Sequence, residues 1–168
     1  MKRIAIVIAF NGFRDEEFFV PYNDLSNGFD VQVFSTQIGE ANGKLGGIFL
    51  VSHTIQDIEV DKFDALMLIG GPGGYTYLGN LILQDIINKF YSLKKLVSAI
   101  CMAPLILAEA GIMNGKRATV FIGDKDRFIS KGVVYTGRDV EMDGNIITAD
   151  GAGSSEFFSN KVREYLHG

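Results

Sequence analysis

The single cysteine of the chain, Cys101, stands in "KLVSAICMAPLILAEAG", where an apolar strand-like run meets a helix-like run opened by Pro104. A thiol on a sharp strand-to-helix turn is held up and exposed, the nucleophile-elbow geometry. N–H groups at the start of the following helix favour a thiolate, so Cys101 is expected to titrate below the reference of about 8.5. The competing reading is a buried structural cysteine, because free cysteine is among the most buried residue types. A second stretch, "LIGGPGGYTYLGN", is a glycine-rich turn after a buried strand. Its backbone N–H groups can cradle an anion or form half an oxyanion hole, or it is only a tight turn. It matches neither a Walker loop nor the dinucleotide fingerprint. A third stretch, "FRDEEFFVP", sets a run of charged residues just after the first strand. Asp15 and Glu16 read as a solvated helix start, while one acid can point inward over the same end of the sheet.

These three stretches need a scaffold that brings them to one place. "RIAIVIAF", "DALMLIGG" and "KLVSAIC" are apolar on both faces, as parallel strands covered by helices are. "FDVQVFST" alternates and reads as a further strand. The helices are "DEEFFVPYNDLSNG", with Pro21 expected to kink or shorten it, "LQDIINKFYSLK", "PLILAEAG" and "GSSEFFSNKVREYL", the last with Ser154 or Ser155 as N-cap. Between them, "IGEANGKLGGIFLVSHTI" carries an Asn-Gly turn signal and reads as a small β-hairpin excursion. "GVVYTGRDVEMDGNIITADG" reads as short strands turning at Asp143-Gly144. Alternating strands and helices imply one domain over residues 1–168, a three-layer α/β sandwich with a central, mostly parallel sheet. In such sheets ligands bind beyond the carboxyl ends of the strands, which is where all three stretches fall.

The bulk composition narrows the function classes. The 168 residues are 47% hydrophobic, enough to fill a core, and the formal net charge is −4 without a basic block. Nucleic acid and anionic membrane are therefore not expected partners. No apolar stretch approaches the roughly 20 residues of a membrane span, and "MKRIAIVIAFNGF" lacks a cleavage pattern and reads as a first strand. One cysteine forms no internal disulfide, which suits a reducing cytoplasm. No Cys/His cluster suggests a metal, and no cofactor is expected.

Taken together, the acidic helix start ending in "EFFVP", the "GGPG" turn, the "AICMAP" elbow and the late "DGNIITADGAGSS" resemble the ThiJ/PfpI family over nearly the whole chain. The resemblance implies a flavodoxin-like fold and a homodimer. It implies Cys101 as nucleophile, with Glu17, four residues before Pro21, as a protonated carboxylic acid hydrogen-bonded to the sulfur. The backbone N–H groups of Gly71 and Met102 would form the oxyanion hole, and Gly70 and Pro72 would line the pocket.

The chain departs from the family at its histidines. Protease-like members carry one directly after the cysteine, where this chain has Met102. Deglycase-like members carry one after the elbow helix, where "ATVFIGD" places Phe121. The remaining histidines, His53 and His167, read as a surface or interface residue and a frayed tail. Amide hydrolysis needs a group that takes a proton and returns it to the leaving amine, so a Cys–His peptidase is not expected. The expected activity is that of a cytoplasmic enzyme acting on small reactive carbonyls or their adducts, glyoxalase- or deglycase-like. A redox-sensing or stress-protective protein without turnover, a cysteine-dependent amidase and a non-catalytic binding module are the alternatives.

Overall fold

The computed structural model describes residues 1–168. The first strand, β1 (Arg3–Val7), is followed by a short β2 (Asn11–Phe13) and by helix α1 (Asp15–Leu25). Three acids fill the first turn of α1, where the partial positive charge of the helix end favours them. The helix continues through Pro21 rather than stopping or breaking there. Pro21 donates no hydrogen bond to the preceding turn, and its ring sits buried on the packed face.

β3 (Asp30–Ser35) then pairs parallel to β1. The excursion follows as β4 (Gly39–Gly43) and β5 (Ile48–Val51), an antiparallel pair. The excursion differs from the sequence reading in two ways. Asn42 and Gly43 belong to the strand, and the chain reverses over residues 43–47, where the Gly43 N–H donates to the Gly47 carbonyl at 2.7 Å. It is also not an isolated hairpin, because β2 pairs parallel to β4 and makes a three-stranded sheet. The excursion ends before His53, since β6 (His53–Thr54) joins the edge of the main sheet beside β3.

The second half supplies β7 (Ala65–Leu68), α2 (Leu81–Ser92), β8 (Leu96–Ile100) and α3 (Ala103–Glu109). Asn80 caps α2 by accepting from the Leu83 N–H at 3.0 Å. Next come β9 (Arg117–Ala118), α4 (Lys125–Ser130) and β10 (Val134–Tyr135), with β9 and β10 paired in a separate ribbon. β11 (Val140–Asp143) and β12 (Ile146–Ala149) form the hairpin turning at Asp143-Gly144, and α5 (Ser155–His167) closes the chain. Ser154 is the N-cap residue of α5 by position but makes no side-chain cap; its hydroxyl donates to Asp150 Oδ1 at 2.6 Å instead. His167 is not frayed: it is the last helical residue and its ring lies 5.4 Å from that of Phe29.

The main sheet has the order β11-β12-β8-β7-β1-β3-β6, parallel throughout except for β11. Every residue of β7, β8 and β12 is buried, which explains their mostly apolar sequences, and the one polar residue of β8, Ser98, donates its hydroxyl to the Leu66 carbonyl at 3.0 Å. Helices α1 and α5 pack together, as do α2 and α3, and the sheet forms the middle layer of a flavodoxin-like fold. Its core includes Phe18, Phe34, Phe90 and Phe158, each essentially inaccessible. Burying one such side chain contributes about 1.5–3 kcal/mol. No helix is long and apolar enough to cross a membrane. The direction of strand addition reverses at β1: β3 lies on one side and β7 on the other. The carboxyl ends of β1, β7 and β8 therefore open onto one crevice.

Candidate active site

Each of these three strand ends delivers one part of the site. Beyond β8, Cys101 adopts φ 64, one of only two non-glycine residues with positive φ. Its N–H donates to the Ala149 carbonyl of β12 at 2.9 Å, and its carbonyl accepts from Phe121 N–H at 2.7 Å. Both bonds hold the strained backbone, which costs about 1–3 kcal/mol in such conformations. The thiol is half-buried and remains free.

Beyond β7, the glycine turn reaches over the cysteine. Gly71 has φ 106, and a side chain there would collide with the backbone of Gly12, Phe13 and Arg14. Gly70 is equally constrained from another direction. A Cβ on it would lie 2.8 Å from Cys101 Cβ, Glu17 Oε1 and the Ile100 carbonyl oxygen. The backbone N–H groups of Met102 and Gly71 lie near enough to the Cys101 sulfur to favour its thiolate. Pro72 opens the 3-10 segment that follows and is exposed at the cleft rim.

Beyond β1, α1 turns Glu17 inward. Its residue is only 1% exposed. Its Oε1 accepts from the Gly70 N–H at 3.1 Å, and its carboxyl lies close enough to the Cys101 thiol for each to shift the other's titration. Burial pushes this acid up to about 7, against the pull of the Cys101 thiol and the Gly70 N–H. The thiol also moves upward, to about 12, because of burial first and the Glu17 carboxylate second. The N–H groups of Met102 and Gly71 pull it back only in part. The expected depression of Cys101 below its reference is thus overturned: desolvation and a neighbouring negative charge outweigh the N–H groups. The two side chains titrate as a unit that loses its first proton near neutrality and holds the second far longer.

The other charged residues of the acidic stretch are not simply solvated. Asp15 accepts from the Leu45 and Gly47 N–H groups at 2.8 and 2.7 Å, clamping the turn of the excursion onto α1. Glu16 receives the Arg14 guanidinium, with Nη2 to Oε2 at 2.9 Å.

The cleft has two lobes that share Arg14, Glu17, Cys101 and Phe121. The larger, about 480 Å³, is walled by Asp139, Asp150 and residues 151–154. The smaller, about 230 Å³, is walled by Lys44, Gly71, Pro72, Tyr75 and Met102. Met102 is buried, with its sulfur packed toward Gly74. Phe121 is exposed at the junction of the two lobes. Neither histidine lines the cleft; His53 lies in a separate depression with Arg3 and Asp57. Arg14, Lys44, Tyr75, Asp139 and Asp150 were not singled out from sequence. Arg14, Tyr75 and Asp150 fall inside stretches whose motifs were legible, although no role was assigned to them.

The DJ-1/PfpI family profile matches residues 2–165. An uncharacterized protein of Methanocaldococcus jannaschii is 40% identical, over 95% of this chain and 80% of its own length. Deglycase PfpI of Pyrococcus furiosus is 34% identical, over 86% of this chain and 87% of its own. The crystal structure of a ThiJ/PfpI domain protein from Brachyspira murdochii superposes with a TM-score of 0.94 at 29% identity, covering 98% of this chain and 96% of that one. By sequence, and by a fold that agrees with it, the chain belongs to the DJ-1/PfpI family.

Proposed function

We propose that the chain is a cysteine-dependent enzyme acting on small reactive carbonyls or their adducts, in the manner of a glyoxalase or deglycase. The observation that carries this reading is the buried carboxyl of Glu17 set beside the Cys101 thiol across Gly70, in a cleft without histidine. As the thiol adds to an aldehyde carbon, Glu17 in its ionised form takes the thiol proton and hands it on to the carbonyl oxygen, which receives the carbonyl electrons. Met102 and Gly71 N–H groups stabilise the charge that develops there. In the hemithioacetal of a dicarbonyl, Glu17 then carries a proton from one carbon to the next, leaving a thioester that water cleaves. A peptidase reading is disfavoured because no imidazole stands ready to protonate a leaving amine. The deglycase names of relatives favour the same chemistry. The proposal includes Cys101 and Glu17 as catalytic residues, a small-molecule substrate, no bound cofactor, a homodimer and a cytoplasmic setting.

Methylglyoxal turnover by wild type, Cys101→Ser and Glu17→Gln tests it. Cys101→Ser is expected to fall to the buffer rate, and Glu17→Gln to lose about 10²–10⁴-fold. Absence of turnover by wild type, or retained turnover in Cys101→Ser, overturns it. One observation favours a second reading, protective oxidation without turnover. The N–H groups facing the sulfur would also receive sulfinate oxygens. Stoichiometric sulfinate formation by a protein that turns over no carbonyl would select that reading.

A further inference from the structure

The small lobe carries two cations that the proposed chemistry leaves unused. Arg14 binds Glu16 through Nε and Nη2, and its Nη1 edge has no protein partner. The guanidinium lies near enough to Glu17 and Cys101 to interact with both charges. Lys44 lines the same lobe, is exposed, and takes part in no ion pair or side-chain hydrogen bond. Its position is built rather than incidental. Its own N–H donates to the Phe13 carbonyl at 2.8 Å, and Asp15 grips the N–H groups of Leu45 and Gly47 on its far side. Gly43 and Gly47 let this clamp close, because a Cβ on either would come within 2.6 Å of an Asp15 carboxylate oxygen.

We infer that Arg14 and Lys44 form an anion-recognition pair, and that the preferred substrates are reactive carbonyls or adducts that carry a carboxylate. The inference rests on the carbonyl chemistry proposed above and names its substrate class. The charge distribution gives it a direction. Asp139 and Asp150 line the other lobe and repel an anion, so the carboxylate belongs on the Lys44 side while the carbonyl faces Cys101. Glu16 offsets part of the Arg14 charge, whereas Lys44 makes no ion pair. An arginine edge and an ammonium converging on one carboxylate give charge-assisted hydrogen bonds from two sides. Asp15 is a positioning residue here, since it acts only through the turn that bears Lys44.

The test separates recognition from turnover. Cys101 is alkylated by iodoacetate, an anion, and by iodoacetamide, its neutral counterpart. The ratio of the two rates is compared with that of a free small-molecule thiol. Wild type is expected to exceed the free-thiol ratio by about tenfold at low salt, with the excess shrinking as salt is added. Arg14→Gln and Lys44→Gln each reduce the ratio, and the double variant returns it to the free-thiol value. Asp15→Asn lowers it as Lys44→Gln does, and adding Asp15→Asn to Lys44→Gln lowers it no further. A wild-type ratio equal to that of the free thiol, or one unchanged in folded double variant, overturns the inference. Turnover is then read with hemithioacetals of methylglyoxal formed on N-acetylcysteine and on its amide. Preference for the carboxylate adduct, lost through a rise in KM in Arg14→Gln, supports the substrate class. Equal turnover of both adducts refutes it while leaving carbonyl chemistry intact. Anion-selective alkylation with neither adduct consumed refutes the carbonyl chemistry and with it the substrate class.

Discussion

Glu17 and Cys101 meet across the bare Cα of Gly70. The carboxyl oxygen that accepts the Gly70 N–H and the cysteine Cβ would each lie 2.8 Å from a side chain placed at that position. The proximity of acid and thiol therefore depends on the absence of one methyl group. Gly70→Ala is expected to separate the pair, slow Cys101 alkylation, and destabilise the fold by about 1–3 kcal/mol through overpacking. Alkylation kinetics alongside urea unfolding check this. An alanine variant with wild-type reactivity and stability would show that the crevice yields easily.

The buried acid ties stability to pH. Folding raises Glu17 from its ordinary value near 4.5 to about 7, so the folded state holds this proton more tightly than the unfolded chain. The resulting stabilisation is fully present below pH 4.5 and is lost as pH rises through 7. Its size is roughly 2–4 kcal/mol, from the change in proton affinity. Urea midpoints between pH 4.5 and 8 should fall across this window in wild type, and Glu17→Gln should remove that part of the slope. Equal slopes in the two proteins would contradict an acid held protonated by burial.

Met102 directly follows the cysteine, where the family resemblance would put a histidine in a protease, and its side chain is enclosed against Gly74. Met102→His would put a polar ring into a packed slot, leaving a buried nitrogen unpaired at a cost of about 1–3 kcal/mol. The variant is expected to be less stable and to cleave no small chromogenic amide. Amide hydrolysis that appears in Met102→His and vanishes with Cys101→Ser added would show that a hydrolase site needs only that one residue.

What the chain disclosed in advance follows from how local each signal is. The parallel strands were legible because both faces of β7 and β8 are buried, which writes an apolar run into the sequence. The flavodoxin-like fold and family followed from motifs in order along the chain. Strands of two or three residues, such as β2, β9 and β10, are too short for any periodicity to register. Asp15 looked solvated because its partners lie some thirty residues ahead, in a turn whose own Asn-Gly signal pointed to the wrong residues. The same long-range contact brings Lys44 to the cleft, and nothing near Lys44 in sequence announces it. The thiol's upward shift was missed because burial and the Glu17 charge are tertiary facts, whereas the helix start is a local one.

The proton shared by Cys101 and Glu17 is tested most directly by alkylation rate against pH, in wild type and Glu17→Gln. If the two titrate as a unit, wild-type reactivity rises first near pH 7, as the pair becomes a monoanion, and again at far higher pH. Glu17→Gln then shows a single rise, above the wild-type first step and below about 12, because the thiol loses both its proton partner and the charge that held it up. One common midpoint near 8.5 in both proteins, the value of an ordinary thiol, would contradict the account and make Cys101 independent of Glu17.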